Sequence, residues 1–338
     1  MTGLRIGACL SLTGRFAAFG RQAASGLEAW ADVTGGDPRP RIEDDASDVD
    51  RVAPALSALA RDCDLLLGPY STQLMRTAGE AVAAGADGLL FNHGGAGDDV
   101  QTACPGRIVS VLTPTSRYAA PFVAHRAPAG VPLVVVRGPG QFARQVAAGA
   151  VAQARRLGVA ATEVDASVGV AAIDELGAAS ERWDLFSAGR FEDDVALVVR
   201  ARAAPAPPET ICSIAAGVRD FAAAVGAPEG IYGIVQWAPR DAPVAVGPDE
   251  SSFIGAYRRL TGARPDYPAV QAAAAATLAV ECARIAGSTR ARELWAAATG
   301  LRTTTLLGEF GIDARTGAQT RHRPGLVRWR GEEPAPIR

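Results

Sequence analysis

The 338-residue sequence contains no lysine; every one of its cationic side chains other than three histidines is an arginine. That absence excludes the glycine-lysine phosphate loop of Walker-type nucleotide hydrolases. It reads first as coding bias and only second as a choice of guanidinium chemistry. Cysteine is sparse and scattered, at Cys9, Cys63, Cys104, Cys212 and Cys282, without a C-x-x-C pair to suggest zinc or redox chemistry. His125 and His322 have no clustered metal-type partners in sequence, so no metal is assigned. The nucleophile elbow G-x-S-x-G and the zinc helix H-E-x-x-H are both missing. Dispersed Ser, His and Asp residues do not make a triad, which geometry alone defines, so no catalytic residue and no cofactor is expected. Charge of one sign is lacking too: 34 basic residues face 36 acidic ones, with no electrostatic footprint for nucleic acid. There is no long apolar run. The stretch Tyr267 to Leu278 is interrupted by Gln271 and followed by Glu281 and Arg284, which predicts no membrane insertion. "RIGACL" resembles the end of a lipoprotein signal with Cys9 as the lipid carrier, but too few residues precede it for a signal's apolar segment. The expectation is a soluble chain with a small-molecule partner, cytoplasmic if Met1 is the native start and periplasmic or extracytoplasmic if a signal was trimmed.

What is present is an α/β pattern. A chain of this length supports two cores, since single cores rarely grow further. "LRIGACLSL" reads as a buried strand and "TGRFAAFG" as a loop; a helix follows with Ala23, Leu27, Trp30 and Ala31 facing inward. "PRIEDD", a helix with Val52, Leu56 and Leu59 on one stripe, and "CDLLLG" come next. "PYSTQ" offers hydroxyl caps to a helix with Leu74, Ala78, Ala81 and Val82 on its apolar face, and "GLLFN" then enters "HGGAGDD". The pattern restarts with a strand over Val131 to Arg137 and a helix carrying Phe142, Val146, Ala150, Ala154 and Leu157 inward. "DLFSAGRFEDDVALVVRARA", "ETICSIAAGVRDFAAAVG" and "EGIYGIVQWAP" continue it, and a Pro-rich stretch from Ala238 to Pro248 marks a boundary. Helices over Ser252 to Leu260 and Pro268 to Ala286 precede "GEFGIDARTGAQTRHRPGLVRWR", which reads as a hairpin turning at "RTGAQ". Alternating strand, loop and helix predict two parallel sheets wound on both faces, with functional loops at the strands' carboxyl ends.

One segment points elsewhere. "VVVRGPGQFARQ" runs a strand into Gly138, Gly140 and Ala143, a G-x-G-x-x-A turn that would suit a dinucleotide pyrophosphate. The alternative function is therefore an NAD-linked oxidoreductase, with Asp165 the nearest candidate for the ribose acid. Glycines at a strand-to-helix turn are also ordinary turn residues.

The segments "IGACLSLTGRFAAFGRQAASGLEAW", "EDDASDVDRVAPAL", "DLLLGPYSTQLM", "LLFNHGGAGDDV" and "EGIYGIVQWAP", with the closing "GEFGIDARTGAQTRHRPGLVRW", together resemble the branched-chain amino-acid and amide binding family of type I periplasmic binding proteins. That family serves ABC transporters and includes cytoplasmic amide sensors. The resemblance implies a non-catalytic α/β protein of two doubly wound lobes joined by three crossing strands and closing around a ligand. Lobe 1 would comprise 1–115 and 241–307, and lobe 2 would comprise 116–240 and 308–338. Hinges would fall near Leu112 to Ser116, Trp237 to Arg240 and Leu307 to Phe310. The implied partners are a small polar solute and an ABC permease or a regulatory protein.

The resemblance also carries site residues over. Ser71, Thr72, Asn92, His93, Gly94, Gly95 and Ala96 match positions that grip a ligand's polar head, while Phe19, Tyr70, Phe142 and Trp237 are candidate aromatic walls. For each a bland role stands beside the functional one: a helix cap for Ser71 and Thr72, a turn for the glycines, a structural imidazole for His93, and core packing for the aromatics. Arg190, in "SAGRFED", is a candidate anion clamp. Where amino-acid binders of the family carry an acid for the ligand's ammonium, the nearest match here is Ala216. A buried ammonium without a counter-charge is costly, so the expected ligand is an amide or an organic acid without an amine, unless Glu192 or Asp193 takes that role.

Overall fold

The computed structural model describes residues 3–35, 39–85, 88–167, 182–240 and 242–337. The chain first lays down β1 (Ile6–Leu10), α1 (Ala17–Thr34), β2 (Arg41–Asp44), α2 (Val49–Asp62), β3 (Leu65–Leu67), α3 (Thr72–Ala83), β4 (Leu90–Asn92) and β5 (Ile108–Ser110). It continues through α4 (Ala120–Arg126), β6 (Leu133–Arg137), α5 (Gln141–Arg156), β7 (Ala161–Asp165), β8 (Asp184–Ala188), α6 (Phe191–Ala203), β9 (Thr210–Ser213), α7 (Asp220–Val225) and β10 (Tyr232–Val235). The last part holds α8 (Glu250–Thr261), α9 (Tyr267–Ala286), α10 (Ala291–Gly300), β11 (Thr303–Thr305), β12 (Gly308–Phe310), β13 (Gly325–Arg330) and β14 (Glu333–Pro336). Internal contacts divide these elements into two compact units, Met1–Pro114 with Pro239–Arg323 and Thr115–Ala238 with Pro324–Arg338.

Unit 1 is built on a parallel sheet of order β2-β1-β3-β4-β5. The strands β1, β3, β4 and β5 are short, buried and mostly apolar, as strands covered on both faces must be, whereas the edge strand β2 is Arg-Ile-Glu-Asp and only partly buried. One face is covered by α2 and α3, whose Val52, Leu56, Leu59, Leu74, Met75 and Ala78 pack with Leu66, Leu90 and Ile108. On α1 the residues expected inward, Ala23, Leu27, Trp30 and Ala31, are all buried. The contact of α1 with α9 depends on small residues: a Cβ on Gly26 would lie 2.3 Å from the Ala269 carbonyl oxygen. A turn further along, the Trp30 indole N–H donates to Thr277 Oγ1 at 3.0 Å. By length and composition α9 could cross a membrane, contrary to the expectation from its sequence, but most of it is buried inside this unit.

Unit 2 repeats the plan. Its strands run β7-β6-β8-β9-β10 in parallel, with β13 added antiparallel to β10 and β14 antiparallel to β13. Numbered within its own unit, each sheet has the order 2-1-3-4-5, so each has one point where the winding reverses, between β1 and β3 and between β6 and β8. The core joins Trp183, Leu185, Val198, Phe221, Ile231 and Trp329. Leu157, read as an inward helix residue, is instead the exposed residue that ends α5.

Three local readings differ from the structure. The closing hairpin does not form as such: β12 pairs with β11 and β13 with β10, leaving a single bridge between Ile312 and Gln319. The third crossing falls after Arg323 rather than near Leu307 to Phe310, because 308–323 is fastened to unit 1. Ser110 N–H donates to the Gly317 carbonyl at 3.0 Å, Gln319 Nε2 to the Val111 carbonyl at 3.0 Å, and Thr113 Oγ1 meets His322 Nδ1 at 2.7 Å. Finally, β5 and α10 escaped the sequence pattern, one being three residues long and the other ten.

The α1–α9 seam gives a paired prediction. Gly26→Ala must push two helix backbones apart and is expected to cost about 1–3 kcal/mol. Gly255→Ala, on α8 with only the end of the flexible Arg259 side chain near its Cβ, is expected to gain about 0.5–1 kcal/mol. Urea denaturation of the two variants checks both signs.

Candidate functional site

In doubly wound sheets ligands sit beyond the carboxyl ends of the strands at the reversal point. In unit 1 that point brings together the loops after β1 and β3. The first loop is fixed by two aspartates at the end of β2. Asp44 accepts from the backbone N–H of Leu12 (2.8 Å), Thr13 (3.2 Å) and Ala46 (2.8 Å) and from Thr13 Oγ1 (2.7 Å). Partial burial works to raise the Asp44 pKa, but these hydrogen bonds outweigh it and leave it lowered. The buried Asp45 accepts from Ser11 Oγ at 2.6 Å and from Ser47 N–H at 2.8 Å; there burial wins and its pKa is raised. Held this way, the loop and the first turn of α1 present Phe16 and Phe19 to Tyr70 of the second loop. Phe19 and Tyr70 stack at 4.8 Å with 6° between ring planes, and the Tyr70 hydroxyl lies 3.4 Å from that of Tyr267 on α9. Arg15, which the sequence reading did not single out, lies over Phe16 at 4.4 Å and donates to Gln73 Oε1 at 3.2 Å.

Ser71 caps α3, accepting from Leu74 N–H at 3.3 Å. Its backbone sits at φ 104° and ψ 151°, a region glycine favours. Such a conformation costs about 1–3 kcal/mol and persists only where its surroundings over-determine it. Here Ser71 N–H donates to the Gly94 carbonyl at 3.1 Å. Thr72 Oγ1 accepts from Gly97 N–H at 3.0 Å. The two loops are so close that a Cβ on Gly94 would lie 2.6 Å from Tyr70 Cα, and one on Gly95 would lie 2.5 Å from Met75 Cβ.

Asn92 sets the shape of the second polar turn. Its Oδ1 accepts from Gly94 N–H (3.2 Å) and Gly95 N–H (2.8 Å), and its Nδ2 donates to the Gly95 carbonyl (2.7 Å) and Ser110 Oγ (2.8 Å). Asn92 is therefore a buried clamp, and the amides of Gly94 and Gly95 are already engaged by it. Ala96 is buried. His93 is completely buried, and neither ring nitrogen has a hydrogen-bond partner among the described residues. Burial pushes its pKa down to about 4; the backbone of Gly68 and of His93 itself lies near enough for weak hydrogen bonding to oppose this, though neither contact has the geometry of a formed hydrogen bond.

In unit 2 the reversal point joins the loops after β6 and β8. Gly138 N–H donates to the Ala188 carbonyl at 2.8 Å, and a Cβ on Gly138 would lie 2.6 Å from Gly189 Cα. The first glycine of the G-x-G-x-x-A turn is thus accounted for by a neighbouring loop. Asp165, the proposed ribose acid, is held by Arg137 (2.6 Å) and by Ser167 N–H (2.9 Å). Phe142 stands edge-on to Tyr118 at 5.8 Å, and Arg190 is exposed immediately before α6. Trp237 is buried, and its Nε1 has no partner among the described residues. Ala216 lies in the hydrophobic core with Trp329, whose Nε1 donates to its carbonyl at 2.9 Å. The acid that matters structurally is one the sequence did not distinguish from its neighbours. Asp194 is buried and accepts from Ser187 Oγ, from Ser213 Oγ (3.1 Å) and from Ala215 N–H (3.1 Å), while Glu192 and Asp193 are exposed. Burial raises the Asp194 pKa to about 6 against those hydrogen bonds.

A family model described as periplasmic binding protein matches residues 3–333. The chain belongs to the periplasmic binding protein family. No curated protein matches it. Its fold is similar to that of the leucine binding protein LivK from Thermotoga maritima, with 15% identity, a TM-score of 0.80 and coverage of 99% of this chain and 98% of the other. It is also similar to LivJ from Streptococcus pneumoniae, solved with isoleucine, at 16% identity, TM-score 0.75 and 99% coverage of both chains. A solute binding protein from R. palustris, solved with 4-hydroxybenzoate, is 14% identical at TM-score 0.80, covering 99% of this chain and 95% of that one. The oxidoreductase alternative finds no support in this family or in the Gly138 turn.

Two predictions follow from the site's strain and burial. Ser71→Gly relieves the backbone strain while losing only a few tenths of a kcal/mol as a cap, so it is expected to raise the melting temperature. The two buried titratable groups have opposite pH signatures. His93, lowered from 6.5 to about 4, contributes stability present above pH 6.5 and lost as pH falls towards 4; Asp194, raised from 3.8 to about 6, contributes stability present below pH 3.8 and lost as pH rises through 6. Each effect is on the order of 3 kcal/mol. Relative to wild type, His93→Leu is therefore expected to become more favourable as pH drops from 6.5 to 4.5. The deficit of Asp194→Asn is expected to shrink as pH rises from 4 to 6. Denaturation across this range reads both.

Proposed function

We propose that the chain reversibly binds a small polar organic solute through the carboxyl-end loops of its two units, without catalysis, as the solute receptor of an ABC transporter working outside the cytoplasm. The observation that carries this is family membership over almost the whole chain, supported by a polar and aromatic surface preorganised at the winding reversal of unit 1. Phe19 and Tyr70 supply an aromatic wall; the hydroxyls of Ser71 and Thr72 supply the polar rim, and the turn 93–96 shapes it from behind. Unit 2, taken by itself, offers Phe142, Arg190 and the indole N–H of Trp237 as its solute-binding candidates. Asn92 acts through the turn and does not itself touch solute.

The solute class is an amide or an organic acid without an amine. Asp194, the buried acid nearest Arg190, is filled by three donors, and Glu192 and Asp193 are exposed, where an ammonium pairs weakly. The cations Arg15 and Arg190 and the hydroxyls suit a carboxylate or amide oxygen. Among the relatives, the R. palustris protein holds such an amine-free acid.

A thermal-shift panel of leucine, its deaminated keto acid, 4-hydroxybenzoate and short aliphatic amides tests this. Stabilisation of about 2.7 kcal/mol at a hundredfold excess over Kd is expected from members without an amine. A response to leucine alone contradicts the assignment of solute class, and turnover of any of these compounds contradicts the non-catalytic reading.

A further inference from the structure

Among the buried polar atoms of unit 1 that lack a hydrogen bond of good geometry within the described residues are both ring nitrogens of His93 and both amide atoms of Gln271. Native interiors pair nearly all such atoms, and leaving one unpaired costs about 1–3 kcal/mol. The fold packs the elements that carry the two side chains against each other. Side chains alternate along a strand, and on β4 Leu90 points into the core formed with α2 and α3, while Asn92 turns toward Gly95 and Ser110. Phe91 then faces the other side of the sheet, and His93, completely buried, follows directly after the end of β4. The Phe91 side is covered by α9, which packs on β3 and β4 and contributes nothing to the α2–α3 core. Gln271 lies one turn after Tyr267, on the same helix face, and Tyr267 reaches Tyr70, which is itself bridged to Gly94.

We propose that His93 and Gln271 form a buried hydrogen-bonded couple, joined through an enclosed water, that fixes the turn 93–96 to α9. A neutral imidazole offers one donor and one acceptor and a primary amide offers both kinds, so one water between them can satisfy atoms on each side. The groups around His93 leave it neutral. Tyr70, on the loop bridged to Gly94, and Tyr267, on α9, are the titratable side chains of the adjoining elements, Asp266 precedes Tyr267, Cys9 lies on the opposite sheet face, and no charged group contributes to the depression of the His93 pKa. His93 and Gln271 are thus positioning residues. The consequence for solute binding rests on the reading of 93–96 as a solute turn; the couple itself does not.

The test uses the full chain without solute, with nitrogen NMR of the His93 imidazole. In Gln271→Glu a carboxylate replaces the amide close to the ring, so the His93 pKa is expected to rise clearly above that of wild type. In Gln271→Leu, which remains informative if the glutamate variant does not fold, the ring nitrogen shifts and the amide signals of Gly94, Gly95 and Ala96 are expected to move while signals of unit 2 stay in place. An unchanged His93 pKa in Gln271→Glu, or unchanged ring shifts in Gln271→Leu, overturns the couple. A confirmed couple in a protein that binds none of the panel solutes would refute the solute reading and leave the couple standing.

Discussion

A buried strand that turns sharply into a helix strands several backbone N–H groups away from both water and the sheet ladder, and each must find an acceptor. The loops of both units answer this constraint with short side chains from inside the fold. Asp44 takes three backbone donors, Asn92 takes two and returns two, and Asp194 gathers two hydroxyls and an amide. These acceptors fix the loops before any solute arrives, and preorganisation of that kind lowers the ordering cost of binding. The polar groups the loops present are those that remain after the interior has been satisfied.

The same constraint separates residues that hold the site from residues that face it. Asn92 and Asp194 are buried and saturated, so their chemistry is spent on architecture. Phe19, Tyr70, Ser71 and Thr72 are only partly buried, and Ser71 carries a strained backbone whose N–H ties its loop to Gly94. Strain retained at such a position fits a selected geometry better than it fits a helix cap alone. Among the thiols, Cys9, Cys212 and Cys282 are buried with pKa values raised chiefly by burial. Cys212 and Cys282 are inert apolar filling, while the Cys9 thiol donates to Asp45 Oδ2 at 3.7 Å.

Much of the fold was legible because apolar periodicity survives in the long helices and the strand-loop-helix order repeats. The stripes Leu27–Trp30–Ala31 and Val52–Leu56–Leu59 are buried as their spacing required. What escaped lacked periodic signal. A three-residue strand such as β5 contains one alternation at most, and the run 308–323 is held by loop hydrogen bonds from Ser110, Val111 and Thr113 that no local pattern encodes. At the site, Ser71 could be read as a cap from "PYST", but the clamp role of Asn92 needed the positions of Gly95 and Ser110. Likewise Glu192, Asp193 and Asp194 are three adjacent acids whose difference is only which way the first turn of α6 rotates them. The Gly138 turn misled in the other direction, because a missing Cβ that serves Gly189 looks the same in sequence as one that serves a phosphate.

The three crossings at 114, 238 and 323 have an implication for biogenesis. Neither unit is a contiguous stretch: the first waits for α8, α9 and the run to Arg323, and the second for β13 and β14 at the very end. As the ribosome delivers the chain from its amino terminus, the sheet of unit 1 emerges early, yet one of its faces is covered only by α1 until α9 is made, roughly 150 residues after β5 at the usual pace of several residues per second. A nascent chain with that exposed apolar surface would need shelter for much of its synthesis, a burden that a protein of two contiguous domains would escape.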